Sequence, residues 1–286
     1  MPHQTIISCK ELNGSLTSGD WVIVDCRFDL AAPEWGFEEY QQLHIPGAVY
    51  ADLDRDFSGK KTPFTGRHPL PKPSDFCAAM SRLGIAENTQ VIVYDATSGS
   101  YAARLWFMLR LYGHLNVALL DGGFSEWRKL GFAIESGTNQ NKTRNFNGTP
   151  DDKLILTTTD IEKIINQPDW LLIDARSGER FRGELETIDP IAGHIPGAVN
   201  RFHGENMGAD GIFLPAAQLK EEFSNLTKGY TPENIVVYCG SGVTSCHHLV
   251  AMAIAGLPQP KLYAGSWSEW IRRSEEHTSE LQSRQV

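Results

Sequence analysis

The residue of this chain best suited to chemistry is Cys239, which follows an apolar, β-branched run (residues 235–238) and precedes a Gly-Ser-Gly loop (residues 240–242). This order predicts a buried strand, a tight loop and a helix over residues 244–255. The glycines allow several backbone N–H groups to point at one atom. Because those groups and the positive helix end stabilise an anion, we expect the pKa of the Cys239 thiol to fall below about 8.5. The thiolate would be a nucleophile. The alternative is a structural cysteine at the end of a strand.

The elements that would position this loop occur twice along the chain. The repeated motifs are a strand ending in Asp-x-Arg and a turn of sequence His-Ile-Pro-Gly-Ala. The Asp-x-Arg sequence begins at Asp25 and at Asp174, and the His-Ile-Pro-Gly-Ala turn begins at His44 and at His194. The offset between equivalent residues decreases only from 151 to 143 across the copies. Two copies at this spacing predict two similar domains rather than a solenoid.

Within each copy, short apolar strands alternate with helical segments. Ser8 with Glu11, and Thr159 with Glu162, have the spacing of a capping box and predict two helix starts. The alternation predicts an α/β fold in which each domain is a mostly parallel sheet with helices on both faces. Ligands of such sheets bind beyond the carboxyl ends of the strands, where the cysteine loop lies. The predicted parts are an N-terminal domain (1–137), a polar linker (138–152) and a C-terminal domain (153–272).

Composition limits the kinds of partner. The 286 residues, 41% hydrophobic and 21% charged, suit two globular domains with real cores. A net charge of −9 disfavours nucleic acid, and no apolar run approaches the roughly 18 residues that span a membrane. Residues 1–12 lack the apolar segment of a signal peptide, so we expect a cytoplasmic protein. Five scattered cysteines without a Cys-x-x-Cys pair indicate reduced thiols and no metal site.

The segment from Arg273 to the end (273–286) resembles the conceptual translation of a sequencing adapter. We expect a non-native tail there and exclude it from the reasoning about fold. A charged native helix end is the alternative.

With the repeat and the cysteine loop together, the chain resembles the two-domain rhodanese family of sulfurtransferases. The resemblance extends from residue 5 to Trp270 and rests on the paired motifs, on Cys-Gly-Ser-Gly-Val-Thr (239–244) and on Gly-Ser-Trp-Ser-Glu-Trp (265–270). It implies that only the second domain is catalytic. Asp95 stands in the first domain where the cysteine stands in the second, so the resemblance implies a structural role for the first domain.

The resemblance also implies that the loop selects the sulfur donor. Members specific for thiosulfate resemble Cys-Arg-Lys-Gly-Val-Thr, whereas Gly240 and Ser241 look like the branch that uses 3-mercaptopyruvate. A monocarboxylate needs less positive charge than a dianion, so neutral loop residues suit it. Arg180 matches the substrate arginine of the family, and its planar fork binds a carboxylate bidentately. The second arginine that this branch shows before the His-Ile-Pro-Gly turn is absent from residues 184–190.

The resemblance assigns the remaining site residues. Cys239 and Ser241 are the catalytic residues, and a relay from Ser241 through His68 to Asp54 is implied. Taken alone, His68 lies in a proline-rich loop and has the sequence context of a surface histidine. Donor binding falls to Arg180 and to the loop residues Gly240, Gly242, Val243 and Thr244.

The resulting hypothesis is a ping-pong sulfurtransferase without cofactor or metal. Sulfur passes from 3-mercaptopyruvate to Cys239 and then to cyanide, a small thiol or a thioredoxin-like protein. The alternative donor is thiosulfate. A cysteine phosphatase would need arginine where Ser245 stands, and a non-catalytic interaction module would have no use for the intact loop. The repeated His44 and His194 suggest a fold role. Cys246, His247 and His248 share no helix face for a metal, and we expect them to be helix-packing and surface residues.

Overall fold

The computed structural model describes residues 2–16, 19–96 and 99–273, except the side chain of Arg273. The described residues fall into two compact units. Unit 1 takes residues from 1–59, 71–151 and 207–215, and unit 2 takes residues from 60–70, 152–206 and 216–286. The segment 60–70 therefore belongs to the unit formed mainly by the second half of the chain. The domain boundaries at residues 137 and 152 stay a prediction. The predicted non-native tail lies outside the described residues from residue 274 onward.

Unit 1 contains a five-stranded sheet in which all neighbouring strands are parallel. The strands follow the order β1-β5-β4-β2-β3, so the two long, apolar strands β4 and β2 lie in the interior of the sheet. They are buried on both faces, as expected for a parallel sheet covered by helices. The strands are β1 (Ile6–Ile7), β2 (Trp21–Asp25), β3 (Val49–Tyr50), β4 (Gln90–Tyr94) and β5 (Val117–Leu120).

The helices of unit 1 connect these strands and cover the sheet. They are α1 (Cys9–Ser15), α2 (Trp35–Gln42), α3 (Leu53–Asp56), α4 (Pro73–Arg82), α5 (Ala102–Leu111) and α6 (Gly123–Lys129). The predicted capping box at α1 is confirmed: the Ser8 side chain accepts from the N–H of Glu11, and the Glu11 carboxylate accepts from the N–H of Ser8. On one face, Leu12 of α1 and Trp127 of α6 pack with Ile23 and Ile92 of the sheet.

Unit 2 repeats this arrangement in the order β6-β10-β9-β7-β8, again with parallel neighbours. The strands are β6 (Ile155–Leu156), β7 (Leu171–Asp174), β8 (Val199–Asn200), β9 (Ile235–Tyr238) and β10 (Lys261–Tyr263). The helices are α7 (Thr158–Ile164), α8 (Gly178–Phe181), α9 (Ala216–Leu226), α10 (Cys246–Ile254) and α11 (Ser266–Arg273). The prediction of an α/β fold with two repeated sheets is confirmed. Across the described ranges, no helix has the length and apolar character needed to cross a membrane.

Two predicted helix starts in unit 2 were wrong by two residues. The second capping box uses Thr157 and Asp160, because the chain is still extended at Thr157 after β6 and an aspartate three residues on can close the box. Helix α10 begins at Cys246 rather than at Thr244, since the residues after Cys239 remain in a non-helical loop.

The Asp-x-Arg motif of each unit is a buried ion pair. Arg176 donates from Nε and Nη2 to the carboxylate of Asp174. Its Nη2 atom also donates to the carbonyl of Gly193, and both bonds of Nη2 are 2.7 Å long. Arg27 makes the equivalent bonds to Asp25 in unit 1. Because a buried charge without a partner costs several kcal/mol, these pairs keep the end of each strand in one arrangement.

Candidate functional site

The cysteine loop occupies the carboxyl end of β9 and leads into α10. The side chain of Cys239 is buried, with a relative exposure of 1%. Gly242 has a φ of 73°, and a Cβ atom there would collide with the backbone of Ala264. Only glycine fits that position without strain, because other residues rarely adopt this backbone conformation. The glycine at position 242 therefore allows the loop to turn sharply next to the backbone of Ala264.

The start of α11 fixes the backbone of this loop. The N–H of Cys239 donates to Ser266 Oγ at 3.1 Å, and the N–H of Trp267 donates to the carbonyl of Cys239 at 3.0 Å. A further bond of 2.9 Å runs from the N–H of Ser268 to the carbonyl of Gly240. The Gly-Ser-Trp-Ser motif thus holds the backbone of the loop in place.

The loop makes the thiol more acidic despite its burial. Burial opposes ionisation of Cys239, but hydrogen bonds from the Thr244 hydroxyl and from the N–H groups of Ser241 and Ser245 outweigh it. Together they hold the pKa of Cys239 below its ordinary value. A group with these surroundings can serve as a thiolate nucleophile. Val243, also predicted as a site residue, is buried and its carbonyl accepts from the N–H of Cys246.

Unit 1 carries an acid in the equivalent place. The carboxylate of Asp95 accepts from the N–H groups of Gly99 and Tyr101 at 2.8 and 2.9 Å, and its carbonyl accepts from the N–H of Phe124 at 2.9 Å. The same backbone bond joins Cys239 and Trp267 in unit 2. Asp95 has no thiol, so of these two equivalent positions only that of Cys239 offers one.

Ser241 of the loop meets a histidine from segment 60–70. Nδ1 of His68 lies 2.8 Å from Ser241 Oγ, and both side chains are buried. The sequence context of a surface histidine was therefore misleading: a loop rich in proline can still be packed against a sheet end. Asp54, the third residue of the implied relay, lies on α3 in unit 1, and its role stays a prediction.

Three contacts fix segment 60–70 on α11. The N–H of Arg67 donates to Ser268 Oγ at 3.0 Å, and the N–H of Gly66 donates to Glu269 Oε2 at 3.3 Å. The Arg272 side chain donates to the carbonyl of Thr65 at 3.0 Å. The helix that braces the cysteine loop therefore also positions the segment that carries His68.

Arg180, the predicted substrate arginine, lies on α8 and is held by a carboxylate fork. Its Nε and Nη2 atoms donate to the two oxygens of Glu186 at 3.0 and 2.8 Å, and Nη2 also contacts Asp189 at 3.1 Å. Both Nη atoms lie 3.7 Å from the position that a Cβ atom on Gly240 would occupy. The structure therefore brings Arg180 to the cysteine loop.

Arg67 is a residue of this site that the sequence argument missed. Its Nη1 atom forms an ion pair with Asp189, and its Nη2 atom lies 2.6 Å from the Cβ position of Gly240. Two sequence signals could have found it. Arg67 is adjacent to His68, which the resemblance already placed at the site, and the expected second arginine was missing elsewhere.

The carboxylates beside the arginines respond differently to their surroundings. Burial raises the pKa of Asp189, and the nearby charge of Arg67 offsets this only in part. Burial acts in the same direction on Glu186, but hydrogen bonds from Arg180 and from the N–H groups of Asp189 and Ile188 outweigh it and lower the pKa of that carboxyl. Glu186 is therefore the more firmly ionised partner of Arg180.

The repeated histidines serve the fold, as the repeat suggested. His44 Nδ1 lies 2.7 Å from the carbonyl of Tyr40, and His194 Nδ1 lies 2.8 Å from the carbonyl of Phe181. Each imidazole ring also stacks on the aromatic side chain of the residue whose carbonyl it contacts. These bonds anchor the turn after the histidine in both units.

Two further histidines are interior packing residues. His247 and His248 are fully buried, and the side-chain amide of Asn206 lies 3.0 Å from Nδ1 of each. Burial lowers the pKa of His248 to about 3, so its ring stays neutral. The expectation that part of this group faces the surface was wrong, because the amide supplies the polar partner that allows burial.

Comparisons with known proteins agree with this geometry. The family model described as the rhodanese-like domain matches residues 8–130 and 157–273. A Pseudomonas aeruginosa protein named "Probable 3-mercaptopyruvate sulfurtransferase" is 44% identical, over 95% of this chain and 96% of its own length. The thiosulfate sulfurtransferase of Mus musculus is 30% identical, over 96% and 95%. The crystal structure of SseA, a 3-mercaptopyruvate sulfotransferase from Escherichia coli, superposes with a TM-score of 0.80 at 31% identity, covering 93% of this chain and all of that one.

Proposed function

This chain belongs to the rhodanese family, and from that membership we propose that it is a sulfurtransferase that uses Cys239 to move sulfur from 3-mercaptopyruvate to an acceptor. The observation that carries the proposal is the buried thiol, whose pKa is lowered by hydrogen bonds from its own loop. The Pseudomonas aeruginosa relative, aligned with 95% of this chain, is named as a probable enzyme of this activity.

In the first half-reaction, the Cys239 thiolate attacks the thiol sulfur of 3-mercaptopyruvate. A sulfur–sulfur bond forms, the carbon–sulfur bond of the donor breaks, and its electron pair leaves on the enolate of pyruvate. The proton of the donor thiol ends on the enolate carbon, which gives pyruvate and an anionic persulfide. The N–H and hydroxyl groups that stabilise the thiolate also suit the persulfide anion, because both place negative charge in the same loop.

The transfer of that proton is the role that we propose for Ser241 and His68. Their contact of 2.8 Å allows the serine hydroxyl and the imidazole to pass a proton between sulfur and carbon of the donor. Asp54 is the third member of the relay in this proposal, in which its negative charge stabilises the protonated imidazole.

The carboxylate of the donor is assigned to Arg180. A planar guanidinium that is already oriented by Glu186 loses little freedom when it binds a second carboxylate. Thiosulfate remains the alternative donor. Relatives named for either donor are similar to this chain: a probable 3-mercaptopyruvate sulfurtransferase is 44% identical, and a putative thiosulfate sulfurtransferase of Mycobacterium tuberculosis is 38% identical.

In the second half-reaction, an acceptor attacks the outer sulfur of the persulfide, and Cys239 leaves as the thiolate. Cyanide would give thiocyanate, and a small thiol or a thioredoxin-like protein would become the persulfide. We place this reaction in the cytoplasm. All five cysteines, which lie within the described ranges, are present as thiols, as a reducing compartment favours.

The proposal is tested by mixing the protein with 3-mercaptopyruvate in the absence of an acceptor. Mass spectrometry should find one added sulfur atom on the peptide that contains Cys239, and cyanide should remove it as thiocyanate. Cys239→Ser should abolish both signals, whereas the matched control Cys77→Ser should retain them. A persulfide on Cys239→Ser protein would refute the site assignment. A wild-type protein without persulfide would favour a non-catalytic interaction module.

A further inference from the structure

A cavity of about 480 Å³ lies in unit 1, where the chain leaves β2 and β4 and where α2 and α6 face each other. We propose that this cavity binds a small zwitterion, an amino acid with an apolar side chain, through both its carboxylate and its ammonium group. The volume falls within the range of about 300–1,000 Å³ that is typical of small-molecule pockets. Every lining residue belongs to unit 1, so the site uses neither Cys239 nor its loop.

Two helices line the cavity with aromatic and charged side chains. Trp35 and Glu39 are four residues apart on α2, and Phe124 and Arg128 are four residues apart on α6. Because residues four apart share one face of a helix, each helix contributes one aromatic ring and one charge to the same wall. Leu43 adds a further apolar contact. The cavity therefore offers apolar surface together with charges of both signs.

Arg27 supplies a buried positive charge to the wall. The residue is 2% exposed, its Nε and Nη2 atoms bond to Asp25, and Nη2 also bonds to the carbonyl of Leu43. One face of its guanidinium lies over the ring of Phe124. Among residues 2–16, 19–96 and 99–273, no acceptor is bonded to its Nη1 atom. A buried donor without a partner costs free energy, and a ligand carboxylate would remove that cost.

The second unit shows which group fills the same place. Nη1 of Arg176, the arginine equivalent to Arg27, lies 3.5 Å from the carboxylate of Glu186. Glu186 precedes the histidine of the repeated turn by eight residues, and the residue eight before that histidine in unit 1 is Gly36. A Cβ atom on Gly36 would lie 1.9 Å from the carbonyl oxygen of Arg27, so no acidic side chain fits there. The ligand's carboxylate would take the place of the Glu186 carboxylate.

Glu39 has a counterpart that binds a cation. Asp189 precedes the histidine of its turn by five residues, as Glu39 does, and Asp189 forms an ion pair with Arg67. Glu39 is half-buried, and no cation is paired with it within the described ranges. Its negative charge acts on Arg27, so the two groups lie near each other in the cavity wall. The ligand's ammonium group would take the place of the Arg67 guanidinium.

The chain leaves this place open in unit 1. In unit 2, segment 60–70 supplies the cation. Segment 207–215 crosses to unit 1 in a similar way, and the N–H of Phe213 donates to Asp121 Oδ1 at 3.0 Å. None of its residues, all of which the structure describes, lines the cavity. Segment 207–215 therefore packs beside the cavity without filling it.

The arrangement of charge favours a zwitterion over a simple ion. Glu39 and Arg128 line the same cavity, but across the described residues neither forms an ion pair with the other or with any other side chain. A ligand with a charge at each end can bridge them. A simple anion would leave its charge facing Glu39, and a simple cation would face Arg27 and Arg128. The apolar side chain of the ligand would contact Trp35.

The test measures binding to the full-length protein by isothermal titration calorimetry with three matched probes. L-phenylalanine carries both charges, 3-phenylpropanoate lacks the ammonium group, and phenethylamine lacks the carboxylate. L-phenylalanine should bind at least about tenfold more tightly than either of the others, as for a lost hydrogen bond to a charged group. If either probe with one charge binds as tightly as L-phenylalanine, the proposal is wrong. Absence of saturable binding by L-phenylalanine, L-leucine and L-methionine alike would also overturn it.

Variants locate the bound amino acid. Arg27→Gln would break the buried pair with Asp25, so the test uses Glu39→Gln and Arg128→Gln, whose side chains reach solvent. Each should weaken binding of L-phenylalanine about tenfold. The matched controls are Glu38→Gln on α2 and Lys10→Gln on α1, both exposed and outside the cavity, and both should bind as wild type does.

Arg180→Gln separates this cavity from the donor site. Binding of L-phenylalanine should be unchanged in that variant, because Arg180 belongs to unit 2. If Arg180→Gln abolishes binding and Glu39→Gln does not, the amino acid occupies the donor site and the proposal is overturned. This outcome does not depend on sulfur transfer, so the cavity and the proposed function are tested independently.

Discussion

Nδ1 of His68 lies 2.8 Å from Oγ of Ser241, and the two residues come from segments 173 positions apart in the chain. The serine contributes to the thiol through its backbone N–H, not through its hydroxyl. Its side chain is therefore available for proton transfer with the imidazole.

We predict that Ser241→Ala and His68→Gln each lower kcat/KM for 3-mercaptopyruvate by about 100-fold, the lower end of the range for general acid–base catalysis. The double variant should lose little more than either single one, because the two side chains act as a unit. Alkylation of Cys239 by iodoacetamide needs no relay and should be nearly unchanged in Ser241→Ala. Additive losses in the double variant would show that the contact is not used.

The acidity of the thiol should depend on Thr244. Its hydroxyl donates to the thiolate, so Thr244→Val should raise the pKa of Cys239 by about 1–2 units, the equivalent of one charged hydrogen bond. Since the thiolate is the reactive form, the pH profile of iodoacetamide alkylation should shift upward, and reactivity should be lost on its low-pH side. Thr227→Val is the control, because that hydroxyl donates to the carbonyl of Phe223. An unshifted profile in Thr244→Val would remove Thr244 from the account.

Arg180→Lys should lower kcat/KM for the donor by a factor that corresponds to about 1–3 kcal/mol. An ammonium group cannot make both hydrogen bonds to Glu186 and also bind a carboxylate of the donor. The comparison variant is Arg182→Lys, which changes an exposed pair two residues away. Equal kinetics for both variants would assign the donor's carboxylate to another cation.

Backbone curvature at the loop can be tested with two glycines of similar conformation. Gly256, with a φ of 66° and open space around it, should tolerate Gly256→Ala at a cost of about 1–2 kcal/mol. Gly242→Ala adds a clash with the backbone of Ala264, so it should lower the free energy of unfolding by a further 1–3 kcal/mol or so and abolish sulfur transfer. Chemical denaturation measures both. Equal stabilities would mean that the loop can move away from Ala264.

Much of the fold could be predicted because its signals are local. The buried strand before Cys239, the capping box at Ser8 and the repeated turns all depend on residues close in sequence. The second capping box was misplaced because Thr157 and Thr159 are both plausible caps, and only the end of β6 decides between them.

The site could be predicted less completely, because its charges come from distant segments. The sequence argument brought Arg180 to the site through the resemblance, but it found no second arginine in residues 184–190. The structure places Arg180 and Arg67 against Gly240, at sequence separations of 60 and 173 residues. The position of Arg67 next to His68 hints at this placement, but its ion pair with Asp189 joins segments 122 residues apart and appears only in the fold.

The central claim is that 3-mercaptopyruvate is the sulfur donor. The most direct test compares kcat/KM of the wild-type protein for 3-mercaptopyruvate and for thiosulfate, with cyanide as the common acceptor. Arg67 and Arg180 are each paired with a carboxylate of the protein, which leaves little surplus positive charge for a dianion. We predict that 3-mercaptopyruvate is preferred at least about tenfold, or roughly 1.4 kcal/mol. A higher kcat/KM for thiosulfate would contradict the account and establish the alternative donor.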